Sequence, residues 1–469
     1  MSIIYYPAVT FISFLFPIPS MVKFDLIIIG AGSGLDVVNA AAAGGMKVAL
    51  VEEGPMGGTC LNRGCIPTKI LIHAADVMQT IRRAGVFGIK TGKTSVDFKK
   101  LMTRGRIVDQ QAQEIEAKIK NAKNITLFKA RGVFIGPKTL KAGGETITAE
   151  KIVIAAGTRP AVPPIDGLAD VPYMTSDQAL RLEKLPKKLI ILGGGYIACE
   201  LAHLFGSLGS EIVMLQRNVR LLPREDEEIS QKFTELFSKQ YDVRLKFGVR
   251  KVEIGKKDGL IVVYGEDGTK VSGTDLLVAT GRVPNTDILD VARTGVKTNR
   301  AGYVETNEFM ETSVPGIWAL GDIAGKYLFK HSANLEAEYV ALSVVSGHRH
   351  AVDYTAMPHA VFSNPQVAGV GATEQELKEK KADYVAGRYK YSDTGMGEAM
   401  AETDGFVKFL ADYDGKILGC HILGPDASTL LHEVLVAMKA GHGTIEDIAN
   451  TVHIHPALSE VVQRGAGSV

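Results

Sequence analysis

Two short apolar runs, each breaking into a glycine-rich turn, constrain this chain more than any other feature of it. The first, Leu26 to Ile29, carries no polar residue, as a parallel strand buried on both faces should. Gly30-Ala31-Gly32-Ser33-Gly34 follows directly, then an alanine-rich helical stretch, then the strand Lys47 to Val51, which ends in Glu52. This is a βαβ dinucleotide fingerprint. Glycines let the backbone approach a pyrophosphate, the helix N-terminus favours anions, and an acid about 20 residues on accepts from a ribose hydroxyl. One departure stands in it: the third glycine position holds Leu35. The second run, Lys188 to Leu192, opens into Gly193-Gly194-Gly195-Tyr196-Ile197-Ala198-Cys199-Glu200, and the next strand is Glu211 to Leu215. Two such units in one chain require two dinucleotides and predict an α/β fold.

The first unit feeds into Gly57-Gly58-Thr59-Cys60-Leu61-Asn62-Arg63-Gly64-Cys65-Ile66-Pro67-Thr68-Lys69. On an ideal helix, two residues five positions apart lie about 8.7 Å apart at Cα, and a disulfide needs roughly 4.4–6.8 Å. A bridge between Cys60 and Cys65 therefore requires a backbone bend, for which Gly64 and Pro67 are the available residues. A strained, short-loop bridge is easily reduced and suits a redox pair. The alternatives are two free buried thiols or half a zinc site. Zinc wants a second Cys/His pair at ligand spacing; Cys199 and Cys420 have no such neighbours, read as core thiols, and no metal is expected.

At 469 residues the chain is too long for one ordinary core, so two to four domains are expected. Its 53 basic and 52 acidic residues leave it near neutral, which argues against a nucleic-acid or membrane-surface partner. Four cysteines do not make a secreted disulfide framework, and a cytoplasmic location is the expectation. Residues 1–20 are apolar but broken by Pro7, Pro17 and Pro19, with no Lys or Arg before Lys23. That pattern fits neither a secretory leader nor a spanning helix and reads as a misassigned start, Met21 being the natural one, or an extension.

The Gly57–Lys69 string resembles the active-site signature of the flavin-dependent pyridine nucleotide–disulfide oxidoreductases. Its form Cys-Leu-Asn-x-Gly-Cys-Ile-Pro-Thr-Lys is most like dihydrolipoamide dehydrogenase and mycothione reductase. The resemblance runs from about Phe24 to the C-terminus, through Ile152–Pro160, Asp275–Asn285, Gly321-Asp322 and His455-Pro456-Ala457-Leu458-Ser459-Glu460. It implies an FAD-binding domain over 21–150 and 282–346, an NAD(P)-binding domain over 151–281, and a C-terminal α+β dimerisation domain over 347–469. FAD contacts would come from Gly30, Gly32, Gly34 and Glu52, from Gly58, Thr59 and Lys69, and from Gly157 and Asp322. The nicotinamide nucleotide would meet Gly193, Gly195, Tyr196 and Ala198, then Gln216, Arg217 and Gly281.

The same resemblance assigns roles. Cys65 would lie against the flavin and Cys60 would exchange with substrate. His455, oriented by Glu460, would be the base, supplied by the other subunit of a homodimer with a shared active site; His453 is the alternative base. Lys69, paired with Glu200, would sit near flavin N5, and Tyr196 would cover the flavin until the nicotinamide displaces it. At the ribose-reading position an acid would select NAD; Gln216 stands there with Arg217 and Arg220 near, favouring NADP(H) over NAD(H). The implied activity is that of a dihydrolipoamide dehydrogenase, which could also serve a 2-oxoacid dehydrogenase complex. The alternative, favoured by Ala198, Gln216, Arg217 and Lys330-His331-Ser332-Ala333-Asn334, is an NADPH-dependent reductase of a low-molecular-weight thiol disulfide. The tail Arg464–Val469 has no cysteine pair, unlike mercuric reductase or large thioredoxin reductases.

Overall fold

The computed structural model describes residues 21–469; the apolar segment 1–20 lies outside the described residues. Leu26, Ile27, Ile28 and Ile29 are almost completely buried, because their strand is flanked on both sides. Met21–Ile29 pairs in parallel with Val48–Val51 and with Glu145–Ile154, which in turn pairs in parallel with Ile317–Ala319. Ile125–Phe128 and an antiparallel extension, Gly132–Gly136 and Thr139–Ala142, complete a seven-stranded sheet. The expected domain boundary at 150/151 falls inside Glu145–Ile154. That strand stays whole because Ile152–Ile154 is bonded to Ile27–Ile29 on one side and Ile317–Ala319 on the other. A long insertion follows the cysteine stretch as the helices Cys65–Arg83, Phe98–Gly105 and Ile107–Asn121.

The second unit holds a five-stranded sheet ordered Asp242–Arg244, Glu211–Leu215, Lys188–Leu192, Asp275–Val278, Tyr173–Met174, all pairs parallel. A three-stranded antiparallel sheet over Val249–Gly273 accompanies it. The chain leaves the first unit through Thr158–Pro160 and returns through Arg282–Pro284, and these two crossings pair with each other. The C-terminal unit is an antiparallel five-stranded sheet, from Pro358–Val361 to Phe406–Ala411 and Ile417–Leu423, against the helix Ala427–Ala440.

What positions the chemistry is a helix-to-helix contact. Leu71, Ile72 and Ala75 of Cys65–Arg83 share one core with Ala198, Leu201, Ala202 and Phe205 of Tyr196–Leu208. The cysteine helix is thereby seated on the helix that opens the second nucleotide fold. Among the described residues no helix is long and apolar enough to cross a membrane.

Candidate active site

The bend required between the cysteines is present, and it falls at Gly64. That residue separates Gly58–Arg63 from Cys65–Arg83 with a non-helical backbone, φ −143° and ψ −119°. A Cβ on it would lie 2.9 Å from the carbonyl oxygen of Thr59. Pro67 sits in the first turn of the second helix, where an absent N–H removes no helical bond. Cys60 and Cys65 are both half-buried thiols, and they are not equivalent. The interaction between the two thiols, assisted by the Lys69 charge, brings Cys65 down to about 7. The same interaction, with burial, holds Cys60 well above the usual thiol range. Of the two sulfurs, Cys65 is the one its surroundings make more acidic.

Lys69, one turn beyond Cys65, donates to both carboxylate oxygens of Glu200 at 2.7 and 2.8 Å. Its ammonium also lies 4.5 Å from the centre of the Phe362 ring, and the Phe362 N–H donates to Glu200 Oε1 at 3.0 Å. Three residues of the site had no role in the reading of the sequence. Buried Asn62 donates to the carbonyls of Met56 and Gly58 at 2.8 and 2.9 Å. Arg181 donates to the carbonyl of Asn62 at 2.9 Å and grips Asp109 with two bonds. The only sequence signal for them is the Asn inside the cysteine signature; Arg181 and Asp109 carry none.

The first glycine turn fits a dinucleotide. Gly30 has φ +106°, and a Cβ there would fall 2.3 Å from the carbonyl oxygen of Ala155. On Gly58 it would fall 2.8 Å from Gly32 Cα. Gly34 packs against Ile28 and Ala155, with 3.0 and 3.1 Å left for a Cβ. The close helix-to-strand approach thus falls on Gly34, and Leu35 turns to a neighbouring cavity, which is why the missing third glycine is tolerated. Glu52 accepts from the N–H groups of Ala31 and Gly54, both at 2.7 Å, a brace for the turn that leaves lone pairs for a ribose. Thr59 lies in the first turn of Gly58–Arg63. Gly157, at φ +62°, stands at the outgoing crossing, next to Thr158, whose hydroxyl donates to Asp322 at 2.7 Å.

In the second turn a Cβ on Gly193 would meet the carbonyl oxygen of Ala279 at 2.3 Å, and nothing would crowd one on Gly195. Ala198 is fully buried. Tyr196 begins the helix Tyr196–Leu208, hydrogen-bonds Glu225 and stacks on Phe329 at 6.0 Å between ring centres. Burial, and then the Glu225 charge, push its hydroxyl up. Gln216 is buried beneath the turn; a Cβ on Gly194 would strike its amide at 2.6 Å. Arg217 is exposed and carries no side-chain partner among the described residues, whereas Arg220 is paired with Glu227 at 2.6 Å. Gly281, at φ +128°, stands at the returning crossing.

Near the C-terminus His455 Nδ1 lies 3.0 Å from Glu460 Oε1. Glu460 also accepts from the Ala457 N–H, and these bonds, that of His455 first, hold its carboxyl below the usual range. The His455 side chain is 76% exposed while that of His453 is 6% exposed. Both His453 nitrogens are engaged, by Thr451 O and Glu433, so His453 has no free edge for substrate. Cys60 lines a cavity of about 550 Å³ with Leu35, Leu61, Ile66, Ile115 and Lys330, and His455 is not among its lining residues. Within one subunit His455 and Cys60 do not share this cavity.

Two paired nucleotide folds around a thiol pair, closed by a separate α+β unit, define a flavoprotein disulfide oxidoreductase. The chain belongs to the class I pyridine nucleotide-disulphide oxidoreductases: residues 24–342 match the family of that description and residues 357–466 match its dimerisation domain. It therefore binds FAD and a pyridine nucleotide, and its C-terminal unit is the one through which the family forms homodimers. It is 38% identical over 459 residues to mycothione reductase of Mycobacterium tuberculosis, covering 94% of this chain and 98% of that protein. It is 34% identical over 454 residues to dihydrolipoyl dehydrogenase of Geobacillus stearothermophilus, covering 95% and 96%. In structure it is similar to the HOCl-induced flavoprotein disulfide reductase RclA of Escherichia coli, with a TM-score of 0.85 at 28% identity, covering 95% of this chain and 100% of that one.

Proposed function

We propose that the protein is an NADPH-dependent reductase of a small thiol disulfide. The observation that carries this is the second nucleotide turn: a neutral, buried Gln216 beside an exposed Arg217 that has no side-chain partner among the described residues. A carboxylate there would repel a 2′-phosphate; a free guanidinium pairs with one through charge-assisted bonds.

FAD, when bound, supplies two-electron transfer between nicotinamide and the cysteine pair. The chain's own residues do the rest. Lys69, steadied by Glu200, keeps a positive charge beside Cys65 and helps hold it as thiolate. His455 takes the proton of Cys60, and the Cys60 thiolate attacks one sulfur of the substrate disulfide; the S–S bond breaks and the first thiolate leaves with that proton, returned by His455. Cys65 then attacks the Cys60 sulfur, the Cys60–Cys65 disulfide forms, and the second thiolate leaves. Glu460 orients His455 through the Nδ1 contact. The exposure of His455 and its absence from the Cys60 cavity support its delivery from the partner subunit of the dimer.

A second reading is dihydrolipoamide dehydrogenase, running the same steps in reverse. The apolar cavity wall formed by Leu35, Leu61, Ile66 and Ile115 favours it, since that wall suits a hydrocarbon dithiolane. Membership in a 2-oxoacid dehydrogenase complex belongs to that reading alone. The deciding experiment crosses NADPH and NADH with lipoamide, glutathione disulfide and other small disulfides. The expected result is a kcat/KM preference for NADPH of about 10- to 150-fold, the worth of one charge-assisted contact, erased or inverted by Arg217→Glu. Fast lipoamide turnover with NADH alone would leave the second reading in its place.

A further inference from the structure

Lys330 is the first residue of the helix Lys330–Ser346, and its ammonium is held from two sides. It donates to Ser33 Oγ at 2.8 Å and to Asn334 Oδ1 at 2.5 Å. Ser33 in turn donates to the same Asn334 oxygen at 2.9 Å, so the three side chains form a closed triangle between the first glycine turn and the helix. Both acceptors are neutral, and Lys330 has no carboxylate partner among the described residues. Lys69, in contrast, is paired with Glu200. Tied only to these two neutral oxygens, the half-buried ammonium has one N–H left. It lines the same cavity as Cys60.

We propose that Lys330, fixed by Ser33 and Asn334, is the cation that stabilises the Cys60 thiolate during disulfide exchange. This rests on Cys60 being the exchange thiol. Exchange needs a thiolate, and of the two sulfurs Cys60 is the one whose ionisation its surroundings oppose. The Cys65 interaction and burial both oppose its ionisation, and the Lys330 charge favours it. The other charged groups on the cavity wall are Asp36 and Lys118, both exposed and therefore screened by water. Lys330 transfers no proton: the bond changes remain those between Cys60, Cys65 and the substrate sulfurs.

The test uses holoenzyme reduced with dithiothreitol, which makes it independent of the nucleotide assignment. Alkylation of Cys60 by iodoacetamide is followed by mass spectrometry across the neutral pH range. An opposite charge at close range typically lowers a pKa by about 1–3 units, so Lys330→Met is expected to slow Cys60 alkylation at pH 7 by about tenfold or more. Its rate-against-pH curve should move to higher pH, and kcat/KM for the disulfide should fall in parallel. Lys330→Arg is expected to restore most of both, which a packing role would not predict. An unchanged Cys60 profile in Lys330→Met would overturn the proposal. So would loss of bound FAD from Lys330→Met, which would assign the lysine to the cofactor. Wild-type alkylation at Cys65 in place of Cys60 would instead strike at the assignment of the exchange thiol, and the proposal would fall with it.

Discussion

Lys69 Nζ lies 2.7 and 2.8 Å from the two carboxylate oxygens of Glu200, joining the helix that starts at Cys65 to the helix that opens the second nucleotide fold. Only about a third of the lysine side chain and a tenth of the glutamate are exposed. Removing one partner of such a pair leaves the other's charge half-desolvated and, for Glu200, also orphans the Phe362 N–H. Glu200→Ala should therefore lower stability by about 2–3 kcal/mol, and Lys69→Met by less, because methionine still packs on Phe362. Chemical denaturation of the FAD-loaded protein reads the difference. Equal midpoints for Glu200→Ala and wild type would show that the pair does not hold the two helices together.

The acidity of Cys65 depends first on its interaction with Cys60 and then on Lys69. In the reduced enzyme the Cys65 thiolate should be present above about pH 7 and lost below it. Cys60→Ala removes the donor and should move that midpoint up by about a unit or more; Cys60→Ser keeps a hydroxyl donor and should move it less. The thiolate–flavin absorbance of the reduced protein, titrated with pH, gives both numbers.

His455→Ala should cost about 10²- to 10⁴-fold in disulfide turnover, the usual worth of a positioned acid–base group, and leave flavin reduction by nucleotide intact. A mixing experiment decides where the histidine acts. Hybrid dimers of a Cys60→Ser subunit and a His455→Ala subunit contain one site with both groups only if the base crosses the interface. Recovery of activity toward half the wild-type level is expected. Hybrids as inactive as their parents would place the base within its own subunit.

Gly30→Ala tests the first nucleotide turn. Its Cβ would fall 2.3 Å from the Ala155 carbonyl oxygen, at φ +106°, so the turn must shift and the pyrophosphate cradle with it. The variant should purify largely without flavin, as the ratio of flavin to protein absorbance reports. Full FAD occupancy would mean that the turn is not the pyrophosphate site.

What the chain announces in its sequence is local. The strands Leu26–Ile29 and Lys188–Leu192, their glycine turns and the need for a bend between Cys60 and Cys65 follow from sterics within a few residues, and the structure has each of them. His455 and Glu460 are close in sequence, and their pairing needs only a turn. Leu35 read as a defect in the fingerprint, because the pattern counts positions while packing depends on distances; the approach to Ile28 and Ala155 is made by Gly34.

The rest belongs to tertiary structure. Lys69 and Glu200 are 131 positions apart, and their contact exists because Leu71, Ile72 and Ala75 pack against Ala198, Leu201 and Ala202. Arg181 reaches the backbone of Asn62 across 119 positions and Lys330 reaches Ser33 across 297, and no periodicity encodes such meetings. The acidity of Cys65 depends on the Cys60 thiol and the Lys69 ammonium, which act through distance and burial. Composition and spacing name the groups that can react; the packing of two nucleotide folds on one helix sets which sulfur is the more acidic.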